Sequence, residues 1–159
     1  MMEHPRNSWM LFRNAARQHP HVEHVSRRDG VSERITYVDF ASRAQQLMHA
    51  VDGLGIEAGA RVSTLAWNHA GHLEEYFAIP CTGRVIHTAN IRLSPEDLAY
   101  VLADSEARAL FVDPQFLPFI EQIAERLPVH QHILVFGSTD PPPHPTNVLA
   151  YYDLLASHR

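Results

Sequence analysis

Residues 61–113, RVSTLAWNHAGHLEEYFAIPCTGRVIHTANIRLSPEDLAYVLADSEARALFVD, alternate between two apolar periodicities, and that alternation decides the fold. Arg61 to Ala66 is a short β-type run. A helix is expected from about His69, with Leu73, Tyr76 and Phe77 on one face and Asn68 as its N-cap. Val85 to Thr88 reads as a second strand. Ser94-Pro95-Glu96-Asp97 then marks a helix start: a capping hydroxyl, a proline where its missing N–H costs nothing, and acids facing the positive end of the helix dipole. Ala109 to Val112 is a third strand. Strands separated by helices of this length need crossover connections, which give a parallel sheet of right-handed units.

The same grammar extends to both sides. Asp113-Pro114 repeats the cap-plus-proline device before a helix carrying Phe116, Ile120, Ile123 and Leu127, and His132 to Phe136 reads as a fourth parallel strand. Residues 138–147, with Pro141 to Pro145 at their centre, read as a loop, and Ala150 to Ser157 as one or two closing helical turns. Upstream, Ser8 caps a short helix with Trp9, Phe12 and Ala16 at helical spacing, ending before Pro20. Val22 to Ser26 and Ile35 to Tyr37 flank Asp29-Gly30 as a hairpin. From Tyr37 a stripe of Phe40, Ala41, Ala44, Leu47, Met48, Val51 and Leu54 predicts a helix. Thr36 and Asp39 form a partial capping box at its start, and Gly53 and Gly55 stop it. The expected class is α/β: a partial doubly wound parallel sheet with helices on both faces, an N-terminal helix and a β-hairpin, within one domain over residues 1–159.

Composition narrows the function classes. A chain of 159 residues buries roughly 70% of the surface its unfolded form exposes, enough for a real core. The formal charge is −5, the 13 basic residues are all arginine, and they are scattered along the chain, so no basic stripe exists to track a phosphate backbone. Nucleic acid is not an expected partner. One cysteine, Cys81, leaves no internal disulfide. The start MMEHPRNSWMLF has no basic n-region with an apolar core, and no stretch approaches the ~20 apolar residues of a membrane span. The expected location is cytoplasmic.

The candidate site residues have structural readings beside their chemical ones. His69, His72 and Glu75, at i, i+3 and i+6, share part of a helix face and suggest a metal set. Against it, three-residue steps drift around a helix and no further ligand completes a tetrahedron; the three read as solvent-facing residues of a helix start. Among the 12 histidines, His19, His21, His130 and His132 sit beside prolines or strand starts and are expected in water. His87, on an apolar strand, reads as a hydrogen-bonded core histidine. Cys81 behaves as a small buried hydrophobe. Thr36 and Ser94 are caps. Glu74-Glu75 and Glu96-Asp97 are adjacent acids that diverge on a helix and read as solvated faces. Asn90, Arg92 and Leu93 follow a parallel strand, where α/β sheets place ligands.

Several blocks, in order, resemble the front of an AMP-forming acyl-CoA synthetase of the fatty-acid branch. Ile35-Thr36-Tyr37-Val38-Asp39-Phe40 is similar to the family's L-T-Y-x-E-L motif, and Gly59-Ala60-Arg61-Val62 to its G-D-R-V. Trp67-Asn68 and HLEEYFAIP from His72 to Pro80 follow, and GRVIHTANIRL from Gly83 to Leu93 is similar to G-A-V-x-H-T-x-N-x-R-L. The resemblance runs from about Trp9 to Leu155, and for Asn90, Arg92 and Leu93 it implies that they shape the turn into the following helix. It implies a piece of the large domain of adenylate-forming enzymes, whose intact members use ATP, Mg and CoA to activate a fatty acid. The glycine-rich phosphate loop of that family, T-S-G-T-T-G-x-P-K-G, has no counterpart here, nor does its late lysine. The resemblance therefore implies an incomplete N-terminal domain, inactive alone, with no catalytic, cofactor-binding or metal residue of its own, and with self-association through uncovered apolar surface. Two alternatives stay open: a non-catalytic interaction module pairing with itself or a full-length relative, and a small His-based metal- or nucleotide-binding domain. Two residues depart from the motifs. Arg84 puts a cation where a small residue is usual and is expected to strain packing, and Ala60 removes an acid beside Arg61.

Overall fold

In the computed structural model the described residues are 8–28, 30–127, 132–137 and 147–157. Helix α1 (Ser8–Gln18) is followed by an antiparallel hairpin of β1 (Glu23–Arg28) and β2 (Val31–Thr36), and by helix α2 (Tyr37–Gly53). Then come β3 (Arg61–Leu65), α3 (Ala70–Cys81), β4 (Val85–Thr88), α4 (Pro95–Ser105) and β5 (Ala109–Val112). A 3-10 turn leads into α5 (Leu117–Ile123), and β6 (His132–Val135), β7 (Asn147–Ala150) and α6 (Tyr151–Ala156) complete the order. The main sheet has strand order β4-β3-β5-β6-β7, and every pairing in it is parallel.

Apolar burial divides the molecule into two layers on that sheet and one annex. On one face, Leu47 and Val51 of α2, Ala78 and Ile79 of α3, and Tyr151 and Leu155 of α6 pack on Val62, Phe111 and Leu134. On the other, Leu98 and Leu102 of α4 and Ile120 and Ile123 of α5 cover Leu65, Leu110, Val112 and Ile133. Strand neighbours such as Leu110 and Phe111 thus feed opposite cores, as the two-residue period of a strand requires. The annex joins α1 and the hairpin to α2 and α3 through Phe12, Ile35, Phe40, Ala44 and Ala70.

Both N-caps form as their sequences direct. Thr36 Oγ accepts the Asp39 N–H at 3.2 Å and donates to the Asp39 carboxylate at 2.5 Å. Ser94 does the same with Asp97, at 3.1 and 2.7 Å. Other boundaries move. Tyr37 opens α2 rather than closing the hairpin. Strand β7 departs from the expected loop: 138–146 of the proline-rich stretch lie outside the described residues, but Asn147 already begins this fifth strand, which pairs with β6 from His132↔Asn147 onward. The N-cap of α3 is His69, not Asn68, since the His69 ring accepts the His72 N–H. The buried side of α3 is Ala70, Gly71, His72, Glu74, Glu75, Ala78 and Ile79, whereas Leu73 and Tyr76 are exposed. Gly71 permits this. A Cβ there would meet the Phe136 ring at 2.9 Å, so the helix approaches the end of β6 more closely than any side chain allows.

Candidate functional site

Strands β3 and β5 lie side by side, so the loops leaving their C-terminal ends form the rim at which open α/β sheets hold ligands. Asp113, the first residue after β5, is buried there at 1% exposure. Its sequence context predicts a cap for the following helix. Instead it makes no cap bond and turns inward: its Oδ2 accepts the Trp67 N–H at 2.8 Å, and its Oδ1 lies 3.1 Å from His69 Nε2. A carboxylate under two donors from the next loop is a stronger partner than one exposed helix N–H.

This contact fixes the tautomers. His69 Nδ1 accepts the His72 N–H at 3.2 Å, so its proton sits on Nε2 and is given to Asp113. His72 Nδ1 faces the Trp67 carbonyl at 3.1 Å and must donate to it, which leaves a lone pair on Nε2. Burial pushes the His72 pKa down; the Trp67 carbonyl and Asp113 oppose this, and His69 adds to it. Both His69 nitrogens are therefore committed and His72 Nε2 is sealed from solvent without a partner. A general base needs a free lone pair facing its substrate; this cluster offers none, and its chemistry is orientation of the 66–69 loop. The loop presents Trp67, half-exposed and stacked on Phe116 with ring centroids 6.2 Å apart.

The metal reading of His69, His72 and Glu75 fails, as does the expectation that they face solvent. All three are buried, and among the described residues no group of three or more His, Cys, Asp or Glu side chains is placed to hold a metal ion. Glu75 is fully buried, and burial raises its pKa well above the ordinary range, with the nearby Thr64 hydroxyl opposing and Glu74 and Asp113 reinforcing; among the described residues neither of its carboxylate oxygens has a hydrogen-bond partner. Glu74 is also fully buried rather than solvated. It accepts the Tyr151 hydroxyl proton and ion-pairs with Arg43 Nε at 2.7 Å. Arg43 in turn reaches Glu33 at 3.5 Å and lies 5.6 Å from the Tyr152 ring. One guanidinium thus links β2, α2, α3 and α6. Burial raises the Glu74 pKa, and Arg43 and Tyr151 hold it back.

The remaining candidates are structural. His87 Nδ1 lies 2.8 Å from Ser63 Oγ, which reaches Ser105 at 3.2 Å, so the expected hydrogen bond is present, but the residue is half-buried on β4 rather than in the core. Asn90 Oδ1 accepts the Arg92 N–H at 3.0 Å and shapes the turn into α4. Burial raises the Cys81 thiol, with a backbone contact to Trp9 opposing, which disfavours a thiolate. His19 and His21 are not buried, and Asp97 and Glu96 lie at the open start of α4. His130 lies outside the described residues, but His132 is not free in water: its Nε2 meets the Leu54 carbonyl at 3.1 Å. Arg84 is buried with its hydrogen-bonding groups served. Its guanidinium donates to the Ile56 carbonyl, the Asp52 carboxylate at 2.5 Å and the Thr82 carbonyl at 3.2 Å, pinning the end of α2 to the entrance of β4. Arg61, without an acid at residue 60, turns to the Ser105 carbonyl and to Glu106.

A parallel sheet wound on both faces, with a fixed loop at its C-terminal rim and a hairpin annex, defines the class of open, doubly wound α/β domains. Within that class the chain belongs to the AMP-binding enzyme family, whose model matches residues 12–151. It is 41% identical to a long-chain-fatty-acid–CoA ligase of Thermus thermophilus over 98% of this chain and 28% of that protein. It is 34% identical to a medium-chain-fatty-acid–CoA ligase of Ectopseudomonas oleovorans over 91% of this chain and 27% of the relative. The fold matches the crystal structure of coronafacic acid ligase from Pectobacterium brasiliense with a TM-score of 0.81 at 18% identity, covering 94% of this chain and 29% of the other. The chain therefore spans little more than a quarter of the length of these relatives.

Proposed function

We propose that the chain is the N-terminal part of an ATP-dependent fatty acyl-CoA synthetase, and that it carries the framework of the reaction rather than its chemistry. The observation behind this reading is the 41% identity to a long-chain-fatty-acid–CoA ligase along nearly the whole chain. In such an enzyme a carboxylic acid is joined to AMP from ATP, with Mg, and the acyl group then passes to CoA. Acyl transfer of this kind relies on charge stabilisation at the phosphoryl and acyl centres. The rim described above supplies an anchored loop and no free base, and the sequence holds no phosphate loop. We therefore assign no catalytic, ATP, CoA or metal residue within these residues, and we infer a cytoplasmic location.

The test is ATP–pyrophosphate exchange with medium- and long-chain fatty acids. The purified chain is expected to stay at background, while a chimera carrying it in place of the matching segment of the Thermus relative is expected to exchange. Exchange by the chain alone overturns the assignment of no catalytic residue. A folded chimera inactive with every fatty acid overturns the family activity for this chain.

One observation favours an associating module as a second reading. Val25, Leu73 and Tyr76, each 39–55% exposed, line one cleft between β1 and α3. Contiguous exposed apolar surface favours association. Sedimentation at about tens of micromolar, where exposed intermediates begin to aggregate, is expected to show a concentration-dependent shift; a sharp monomer throughout argues against it.

A further inference from the structure

The hairpin meets the rest of the molecule along a seam that holds two histidines with incomplete hydrogen bonding. A cleft of about 260 Å³ opens between β1 and the first turns of α3, lined by His24, Val25 and Ser26 on one side and His69, His72 and Tyr76 on the other. Both ring nitrogens of His24 and Nε2 of His72 are buried without a partner among the described residues. A direct hydrogen bond crosses the seam at this point, from the Ala70 N–H to Ser26 Oγ at 3.1 Å. His24 packs edge-on against Phe40 of α2 at 5.1 Å, and His72 against Tyr76 at 5.1 Å.

We propose that this seam is an acid-sensitive joint: protonation of His24 and His72 releases the hairpin from α3 and α2 while the parallel sheet stays folded. An imidazolium carries two N–H donors. For His72 the new proton falls on Nε2, which has no acceptor, and for His24 both donors are unserved; a buried donor without a partner is costly. The surrounding charges do not offset this. His24 is faced by Glu33 of its own hairpin and by Arg43 of α2, which act in opposite directions. His72 is faced by His69 and Asp113, but the Asp113 oxygens are engaged by Trp67 and His69. Burial accordingly holds both histidines below the ordinary value of 6.5. The unfolded or undocked form then binds protons first, so docking strength is present above about pH 6.5 and is lost as pH falls toward the docked-state values. The sheet core responds in the opposite sense. Glu74 and Glu75 are raised, so mild acid relieves them rather than unfolding the layer they support.

The experiment is amide hydrogen exchange on the full 159-residue chain by NMR, at about pH 7.5 and about pH 5.5, either side of the ordinary histidine value, with rates expressed as protection factors. Protection in β1 and β2 is expected to fall about tenfold relative to β3 and β5, because two linked protonations both oppose docking. The double variant H24F/H72N keeps an aromatic edge on Phe40 and an N–H for the Trp67 carbonyl, and is expected to lose that pH dependence. A histidine Cε1 titration of the unaltered chain gives a reading independent of any variant's folding, with midpoints for these two rings below 6.5. Hairpin protection unchanged with pH, a parallel loss in β3 and β5, or midpoints at or above that value overturns the proposal.

Discussion

Asp113 shows how one side chain can exchange a local role for a tertiary one. Its sequence context, a strand end followed by proline, matches a helix cap, yet the loop after β3 brings Trp67 and His69 to it first. Asp113→Ala leaves a backbone N–H and an imidazole N–H buried without an acceptor, and is expected to cost about 3 kcal/mol in chemical denaturation. Asp113→Asn, which keeps one acceptor, should cost less than half of that. Glu75→Gln is expected to act in the other direction. The folded-state pKa of Glu75 is raised, so the folded chain holds a proton that the unfolded chain releases near 4.5. That contribution favours folding in acid and is lost as pH rises, with a slope of up to about 1.4 kcal/mol per pH unit. The glutamine variant should remove this fall and be the more stable protein at neutral pH; urea midpoints across a pH series read both effects.

At the scale of elements, caps and helix contacts are separable. Ser94→Ala should cost about 1 kcal/mol through the lost N-cap, with α4 still formed. Gly71→Ala gains helix propensity but drives a methyl into the buried Phe136 ring; the overpacking term, about 1–3 kcal/mol, should exceed the gain. Thermal melts rank the two. The same elements show what the sequence makes legible. The four strands from Arg61 to Val135 and the N-caps at Thr36 and Ser94 are readable because their signals are local: period, hydroxyl, proline, acid. The polar interior of α3 is not. Glu74 and Glu75 carry charge, which reads as surface, although they stand one helical turn from Ala70, Gly71, Ala78 and Ile79, on the stripe that faces the sheet. The partners of Glu74, Arg43 and Tyr151, come from two other elements, and no spacing along one helix announces them. β7 escapes for a different reason: four residues beside a proline-rich loop carry too little periodicity to outweigh it.

For the whole molecule, the two sheet-covering layers and the hairpin annex differ in how they are held. The layers are apolar cores on a shared sheet, whereas the annex leans on one aromatic cluster around Phe12, Phe40 and Phe77. Phe40→Ala is expected to cost about 3–5 kcal/mol and to release α1 and the hairpin before the sheet. Loss of protease resistance confined to residues 8–36 would mark that order; simultaneous loss throughout the chain would contradict it.

The link centred on Arg43 also bears on synthesis at the ribosome. Strands β5, β6 and β7 each add to the growing side of the sheet in the order in which they are made, so most of the sheet can assemble as it emerges. The carboxylate of Glu74 cannot find its hydroxyl partner until Tyr151 has appeared, 77 residues later. For that interval the nascent chain carries Arg43 and Glu74 on a face still lacking α6. Translation pauses before residue 151 would prolong the exposure of that face, whereas a pause after it would let the last helix close the layer.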